Sequence, residues 1–128
     1  MLFGKKQKLP ADRNLLGKWG QKQCEKFLKS KGCKTLTKNF SCKTGEIDLV
    51  MTEPQGSLVF VEVKARKNED FADAEAAVTK AKQIRMTRAA NYFIRKYKLE
   101  NLPARFDVVI IIADENSKPQ IRHYENAF

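Results

Sequence analysis

The sequence predicts an α/β fold in which a central mixed β-sheet is flanked by helices. Apolar residues recur at helical spacing in two long stretches, residues 14–31 and residues 79–97. Between them, two strand patterns, Glu46 to Met51 and Leu58 to Lys64, flank a turn-rich segment and predict a hairpin. The nearly continuous apolar run Phe106 to Ile112 is typical of a strand that is buried on both faces.

Local signals predict where the two helices begin and end. Asn14 is the expected N-cap of the first helix, and Gly32 is its expected stop because glycine readily adopts left-handed backbone conformations. Thr79 is the expected N-cap of the second helix. The residues expected to face the core are Leu16, Gly20, Cys24, Phe27 and Leu28 in the first helix, and Met86, Ala89, Ala90, Phe93, Ile94 and Tyr97 in the second.

The remaining segments give weaker signals. Thr35 to Phe40 is a short strand candidate, and Arg122 to Phe128 adds a last short segment. Asn68 to Ala77 is acidic and alanine-rich, so it is either a loop or a short helix. Because no internal repeat or linker is evident, residues 1–128 are expected to form a single domain, in which residues 1–13 can be a flexible basic tail.

The composition argues against several kinds of site. The three cysteines, Cys24, Cys33 and Cys42, form no Cys-x-x-Cys pair, which disfavours a zinc knuckle or a disulfide framework and favours reduced thiols. The lone histidine, His123, disfavours a histidine-based triad or metal site. The longest apolar run, Val108 to Ala113, is too short to span a membrane, and no secretory signal is evident. A cytoplasmic protein without a membrane partner is therefore expected.

Positive charge is concentrated in the N-terminal third of the chain. The formal net charge is +10, and residues 1–44 carry all of that excess, with 12 Lys and Arg against two acids. A basic surface of this kind attracts nucleic acid because binding releases the counterions of the phosphates. The same charge is also typical of a surface that only keeps a protein in solution, and charge alone leaves both interpretations open.

The predicted hairpin brings two acids and a lysine together. If its turn is centred on Gln55, opposed residues lie equally far from it, so Asp48 faces Glu62 and Glu46 faces Lys64. Opposed side chains point to the same face of a sheet, with their Cβ atoms about 5 Å apart. One small patch would then hold both carboxylates and the lysine.

Two opposed acids are unfavourable in a purely structural sheet. Regular alternation places Glu46, Asp48 and Val50 on one face, and like charges about 5 Å apart repel by roughly 3 kcal/mol at an effective dielectric constant of 20. A divalent cation turns that repulsion into attraction, and Mg²⁺ favours one or two carboxylates together with water and phosphate oxygens. Lys64 could orient water or stabilise charge on phosphorus. The alternative is a solvent-facing charged sheet in which Lys64 bridges the acids.

Several motifs occur in the order found in a known family. GEIDLV followed by VFVEVKAR resembles the core motif of the restriction-endonuclease-like superfamily, the PD-(D/E)xK nucleases. More closely, the chain is identified as a member of the YraN-type family of uncharacterised bacterial proteins, which shares that fold and is related to Holliday-junction resolvases. The resemblance covers almost the whole chain, from LGKWGQKQCEKFLKSKG through VTKAKQ and RFDVV to NAF. It implies a restriction-endonuclease-like three-layer fold.

The resemblance also implies roles for individual residues. Asp48 and Glu62 would bind Mg²⁺ or Mn²⁺, Lys64 would be the catalytic lysine, and Glu46 would be an auxiliary acid. Lys82 and Gln83 match auxiliary positions at the start of the second helix. The residues expected to contact nucleic acid are Lys18, Lys22 and Arg66.

One position departs from the family pattern. The family usually has a glutamate where this sequence has Gln21, and in related resolvases that acid helps to bind metal. Glu25 lies one turn further along the same helical face and could substitute for it. If Glu25 does not take this role, the site has one carboxylate fewer than the family pattern.

Two functions of different classes follow from these expectations. The first is a metal-dependent endonuclease that cleaves phosphodiester bonds of DNA, in branched or damaged structures as the resolvase kinship implies. The second is a non-catalytic nucleic-acid-binding domain on the same fold, because fold does not determine function. Metal binding through Asp48 and Glu62 would distinguish them. The sequence is also compatible with a homodimer.

Overall fold

A computed structural model describes residues 12–67 and 71–128, leaving out the side chains of residues 71–73. Over these residues the chain forms a five-stranded sheet and three helices, which confirms the predicted α/β class. The elements are α1 (Arg13–Ser30), β1 (Lys34–Cys42), β2 (Gly45–Thr52), β3 (Leu58–Lys67), α2 (Phe71–Ala76), α3 (Lys80–Lys96), β4 (Ala104–Ala113) and β5 (Gln120–Tyr124).

The sheet is mixed, and its strands lie in the order β1-β2-β3-β4-β5. The first three strands pair antiparallel, β3 and β4 are parallel, and β5 pairs antiparallel with β4. The parallel pair requires a crossover connection, which contains α2 and α3. Residues 107–113 of β4 are all buried, which confirms the prediction of a strand covered on both faces.

Helices cover both faces of the sheet. On one face, α1 packs Leu28 into a buried cluster with Val61 and Val109. On the other face, α3 packs Phe93 into a cluster with Phe60. The resulting helix-sheet-helix layers are consistent with the predicted restriction-endonuclease-like arrangement.

The helix caps differ from the predicted ones at one position. Asp12, not Asn14, is the N-cap of α1, because its backbone is extended and its Oδ1 accepts the N–H of Asn14 at 2.6 Å. Gly32, with a φ of +94°, follows the end of α1, and Thr79 caps α3, both as predicted. Of the predicted tail at residues 1–13, Asp12 and Arg13 belong to the start of α1, and residues 1–11 lie outside the described residues.

The segments with weak signals form short elements. Within the predicted loop or short helix at Asn68 to Ala77, α2 is the helix, while residues 68–70 lie outside the described residues. The last predicted segment overlaps β5. Tyr97, predicted to face the core, is instead the C-cap of α3 and is half exposed. In the described part of the chain, no helix is long and apolar enough to cross a membrane.

Candidate metal centre

The strands β2 and β3 pair in the predicted register as far as Leu49, and the predicted opposition of Asp48 and Glu62 lies one position beyond the last of these pairs. The register holds from the turn to Leu49 and Val61, and the residues of each pair are equally far from Gln55. At the next position Asp48 turns its carboxylate toward β3, where Oδ2 accepts the backbone N–H of Val63 at 2.8 Å. The Asp48 side chain, rather than a backbone carbonyl, thus accepts the hydrogen bond from Val63. This contact holds the carboxylate at the boundary between β2 and β3.

The alternation of side chains breaks at the same level of the sheet. In β1, Lys38 forms an ion pair with α1, whereas Phe40 packs on α3, and Asn39 between them has a φ of +53°. In β2, Ile47 and Val50 belong to one buried cluster on the α3 side, although regular alternation would separate them. Asn39, with its left-handed backbone, therefore lies where the alternation of side chains is interrupted in both strands.

The break corrects the prediction that Glu46, Asp48 and Val50 share one face through regular alternation. Glu46 is exposed and its register partner lies in β1, while Lys64 pairs with a residue of β4. Glu46 and Lys64, which were predicted to face each other, are therefore not a pair in the register of the sheet. Glu46 instead lines a cavity together with Lys82.

Glu62 lies in the interior between two ammonium groups. It is only 1% exposed, and its Oε2 is 3.0 Å from Lys64 Nζ and 2.8 Å from Lys82 Nζ. Within the described residues this buried oxygen has these two ion-pair contacts but no hydrogen bond of regular geometry. The structure thus brings together Asp48, Glu62, Lys64 and Lys82.

The cluster contains two acids and two lysines, yet the surroundings of Asp48 favour the protonated form of its carboxyl. Burial, followed by the charge of Glu62, raises the pKa of Asp48 to about 7, although the Val63 N–H and the charge of Lys82 oppose the shift. Burial alone would lower the pKa of the Lys82 ammonium, but its contact with Glu62 raises it. Asp48 therefore holds its proton more tightly than a carboxyl group in water does.

This set of donors fits a small divalent cation. Asp48 and Glu62 supply carboxylate oxygens, one of which is buried without a hydrogen bond, and a cation would relieve the repulsion between them. Across residues 12–67 and 71–128, His, Cys, Asp and Glu form no group of three or more that could hold a metal ion. The protein would thus provide two ligands and leave the other positions to water and substrate oxygens, an arrangement that Mg²⁺ favours.

The first helix does not direct Glu25 to this pair of acids. The Glu25 carboxylate accepts the Thr35 hydroxyl hydrogen at 2.6 Å and forms ion pairs with two lysines; the Thr35 hydrogen bond contributes most to lowering its pKa. Gln21 lines a cavity with Glu25 and Asn39, and Asn39 lies at the level of Asp48 in the register. The contacts of Glu25 therefore give no support to its replacing the family glutamate.

The other predicted residues lie on α1, β3 and α3. Gln83 donates its side-chain N–H to the Val78 carbonyl at 3.3 Å and lines a neighbouring cavity. Lys18 and Lys22 are exposed on α1. Arg66 is half-buried, and its guanidinium donates to the carbonyl of the preceding residue at 2.9 Å.

Sequence reasoning misses a second buried carboxylate, Asp107 on β4. Asp107 accepts hydrogen bonds from Arg105 Nε at 2.9 Å and from the Asn126 N–H at 3.0 Å, and it lies 2.7 Å from His123 Nε2. Burial opposes the shift, but these partners lower the pKa of Asp107. An acid inside the apolar run RFDVV is a signal that partners are needed. Their identity depends on the pairing of β4 with β5.

Comparison with known proteins places these residues within a bacterial family. The profile of the uncharacterised protein family UPF0102 matches residues 20–111, which include both acids and both lysines of the cluster. A UPF0102 protein of Saccharophagus degradans is 45% identical over 119 residues, covering 92% of this chain and 96% of its own. UPF0102 proteins of Geotalea daltonii and Caldicellulosiruptor saccharolyticus are each 39% identical, over 91% and 88% of this chain and 91% and 96% of their own.

Proposed function

The chain belongs to the UPF0102 family, and we propose that it is a divalent-metal-dependent endonuclease that cleaves phosphodiester bonds of DNA in the cytoplasm. The observation that carries this proposal is the pairing of Asp48 with the buried Glu62 beside Lys64 and Lys82. Two acids in the interior of a sheet reduce stability unless opposite charge compensates them. A cation that completes this compensation is also suited to phosphodiester hydrolysis.

The two acids would hold the cation, Mg²⁺ or Mn²⁺. When bound, the cation would supply Lewis-acid chemistry, polarising a phosphate oxygen and making a water molecule more acidic. The Val63 N–H orients Asp48, and two ammonium groups orient Glu62. Both carboxylates are therefore held in place by the protein before a substrate arrives.

The two lysines have different roles in this proposal. Lys64 lies on the same strand face as Glu62 and would place its positive charge against phosphoryl oxygens that become more negative in the transition state. Lys82, at the start of α3, contacts the same Glu62 oxygen and would fix the orientation of that carboxylate. Lys64 is thus the proposed catalytic residue and Lys82 a positioning residue.

Basic side chains lie on both sides of the acids. A cavity of about 330 Å³ between the β1–β2 turn and α3 is lined by Lys43, Lys82 and Arg85. On the α1 side, a cavity of about 390 Å³ is lined in part by Lys18 and Lys22. These surfaces, on a chain with a net charge of +10, would attract the phosphate backbone. The choice of DNA, and of branched or damaged DNA in particular, rests on the resemblance to Holliday-junction resolvases.

A nuclease assay on the purified protein tests the proposal. Linear, nicked, branched and single-stranded DNA are each incubated with Mg²⁺, with Mn²⁺ or with EDTA. We expect metal-dependent cleavage that is lost in Asp48→Ala and Glu62→Ala and is about 100-fold slower in Lys64→Ala. Lys67→Ala, on the exposed end of the same strand, is the matched control and should cleave like the wild-type protein.

Two results would contradict the proposal. Equal cleavage by the wild-type protein and by Lys64→Ala would assign the activity to a contaminant or to another site. DNA binding without cleavage in any metal would favour the non-catalytic nucleic-acid-binding domain. The observation that favours this second function is that only two carboxylates, and no third, come together among the described residues.

A further inference from the structure

A cavity next to the acids is not used by the proposed cleavage. Its volume is about 520 Å³, and it lies between α2, the start of α3, β4 and the C-terminal segment. Two of its lining residues, Val108 and Ile110, are the register partners of Glu62 and Lys64 on the adjacent parallel strand. Neighbouring strands are about 4.8 Å apart, so the cavity lies directly beside the acid and the lysine on the same face of the sheet.

Two aromatic side chains line this cavity. The ring of Phe128 stacks on Phe106, with centroids 4.9 Å apart and an angle of 17° between the planes, yet it is only partly buried. Tyr124 of β5 donates its hydroxyl hydrogen to Glu75 of α2. Aromatic rings that are held in place by such contacts can stack nucleobases, and stacking accepts every base because each has a π-face.

The polar groups of the cavity suit a base better than a phosphate. Its lining includes the carboxylates of Glu75 and Glu125 and the amide of Gln83, and no Lys or Arg of the described residues. The carboxylates would repel a phosphate but would accept hydrogen bonds from the amino and imino groups of an uncharged base. The basic groups Lys43 and Arg85 line a different cavity, at the β1–β2 turn.

We propose that this cavity binds an unpaired nucleobase of the DNA strand whose phosphate lies at Asp48 and Glu62. The inference rests on the proposed nuclease function and narrows its substrate to DNA in which a base is unpaired or can be turned out of the helix. Because two lining residues of the cavity pair in register with Glu62 and Lys64, one nucleotide could place its phosphate at the acids and its base in the cavity. Turning out a base costs least where it is mismatched or already single-stranded, so the cavity selects irregular DNA.

Binding of three labelled duplexes, measured by fluorescence anisotropy in EDTA, tests this inference apart from cleavage. The duplexes differ at one position, which carries a paired base, an unpaired base or an abasic site. We expect the full chain to bind the unpaired base roughly 5- to 100-fold more tightly than the abasic site, which has a similar backbone but no base to stack. Phe128→Ala should remove this preference. Tyr97→Ala, at the far end of α3, should retain it.

The outcomes separate the inference from the function on which it rests. Equal binding of the unpaired base and the abasic site by the wild-type protein would overturn the inference, and that comparison needs no variant. If Phe128→Ala does not fold, Glu75→Ala replaces it, since Glu75 is exposed and should also weaken the preference. A preference that survives in the folded variant would place the base elsewhere and overturn the inference. If no duplex is bound either in EDTA or with Mg²⁺, the proposed function fails as well.

Discussion

Among the described residues, carboxylates lie inside the molecule in two places, and the two environments are opposite. Asp107 on β4 is fully buried, and donors surround it: Arg105, His123 and the backbone N–H of Asn126. These partners lower its pKa despite burial. Arg105 is itself held by an ion pair with Glu53 in the β2–β3 turn. The network therefore ties β4, β5 and a turn together.

The pair of Asp48 and Glu62 has fewer suitable donors. Asp48 accepts one backbone hydrogen bond from Val63, and its pKa is raised to about 7 by burial and by Glu62. A buried oxygen of Glu62 has ion-pair contacts without a hydrogen bond among the described residues. A fully satisfied buried acid is typical of structure, whereas a strongly shifted one beside a second acid indicates a functional site. The comparison thus separates a structural network from a candidate metal centre.

Removal of Asp107 should have the largest effect on stability. Asp107→Ala removes the acid that His123 contacts and one of the two carboxylates that hold Arg105, which keeps Glu53. Loss of one partner of a buried ion pair lowers the free energy of unfolding by about 3–5 kcal/mol, and the remaining Glu53 contact should keep the loss near about 3 kcal/mol. Urea denaturation near neutral pH measures the change. Glu115→Ala, an exposed control just after β4, should change it by less than about 0.5 kcal/mol. A comparably small loss for Asp107→Ala would show that this network does not stabilise the fold.

Asp48→Asn should have the opposite effect in the metal-free protein. The pKa of Asp48 is raised from 3.8 to about 7 on folding, so the folded protein binds the proton more tightly, and stability is lost as the pH rises between these values. Asparagine has no charge to acquire and can still accept the Val63 N–H. The full shift would correspond to about 4 kcal/mol, and screening by water at this half-buried side chain reduces the effect. The variant should therefore be about 2 kcal/mol more stable than the wild-type protein at about pH 8, with little difference at about pH 4.

Urea denaturation in EDTA across this pH range measures the difference between the two proteins. Lys67→Ala, which leaves the acids unchanged, provides a control whose stability should follow the wild-type pH dependence. A variant at Asp48 that is no more stable than the wild-type protein at the higher pH would show that the lysines already compensate both acids.

Glu25→Gln should have the smallest effect and tests whether a third acid belongs to the centre. Glu25 is held by Thr35 and by ion pairs with exposed lysines, and such pairs contribute about 0–1 kcal/mol. We expect a loss of stability within that range and an unchanged affinity for Mn²⁺, measured by isothermal titration calorimetry. A clear weakening of Mn²⁺ binding would show that Glu25 reaches the metal.

Much of the fold could be predicted because the relevant signals are local. Apolar periodicity identifies both long helices, and Gly32 and Thr79 mark helix ends through backbone conformations set by single residues. The symmetry of the turn about Gln55 correctly predicts the β2–β3 register as far as Leu49 and Val61. The N-cap is wrong because Asp12 and Asn14 both favour that position, and periodicity does not choose between residues two positions apart.

The candidate site could be predicted only in part because it depends on segments that are distant in the chain. Alternation correctly places Glu62 and Lys64 together, since both lie on one regular strand. The break at Asp48 accompanies the left-handed Asn39 in β1, which no pattern within β2 reveals. The pairing of Asp107 with His123 likewise arises from the contact between β4 and β5.

The most direct test of the metal centre is a titration of Mn²⁺ into the metal-free protein near pH 8, in which isothermal titration calorimetry measures the binding. Asp48→Asn and Glu62→Gln keep the size of each side chain but remove its charge, and Glu115→Ala serves as the control. We expect stoichiometric Mn²⁺ binding by the wild-type protein and the control, and loss of binding in both charge-removing variants. Absence of binding by the wild-type protein, or equal binding by Asp48→Asn, would contradict the assignment of these acids as a metal centre.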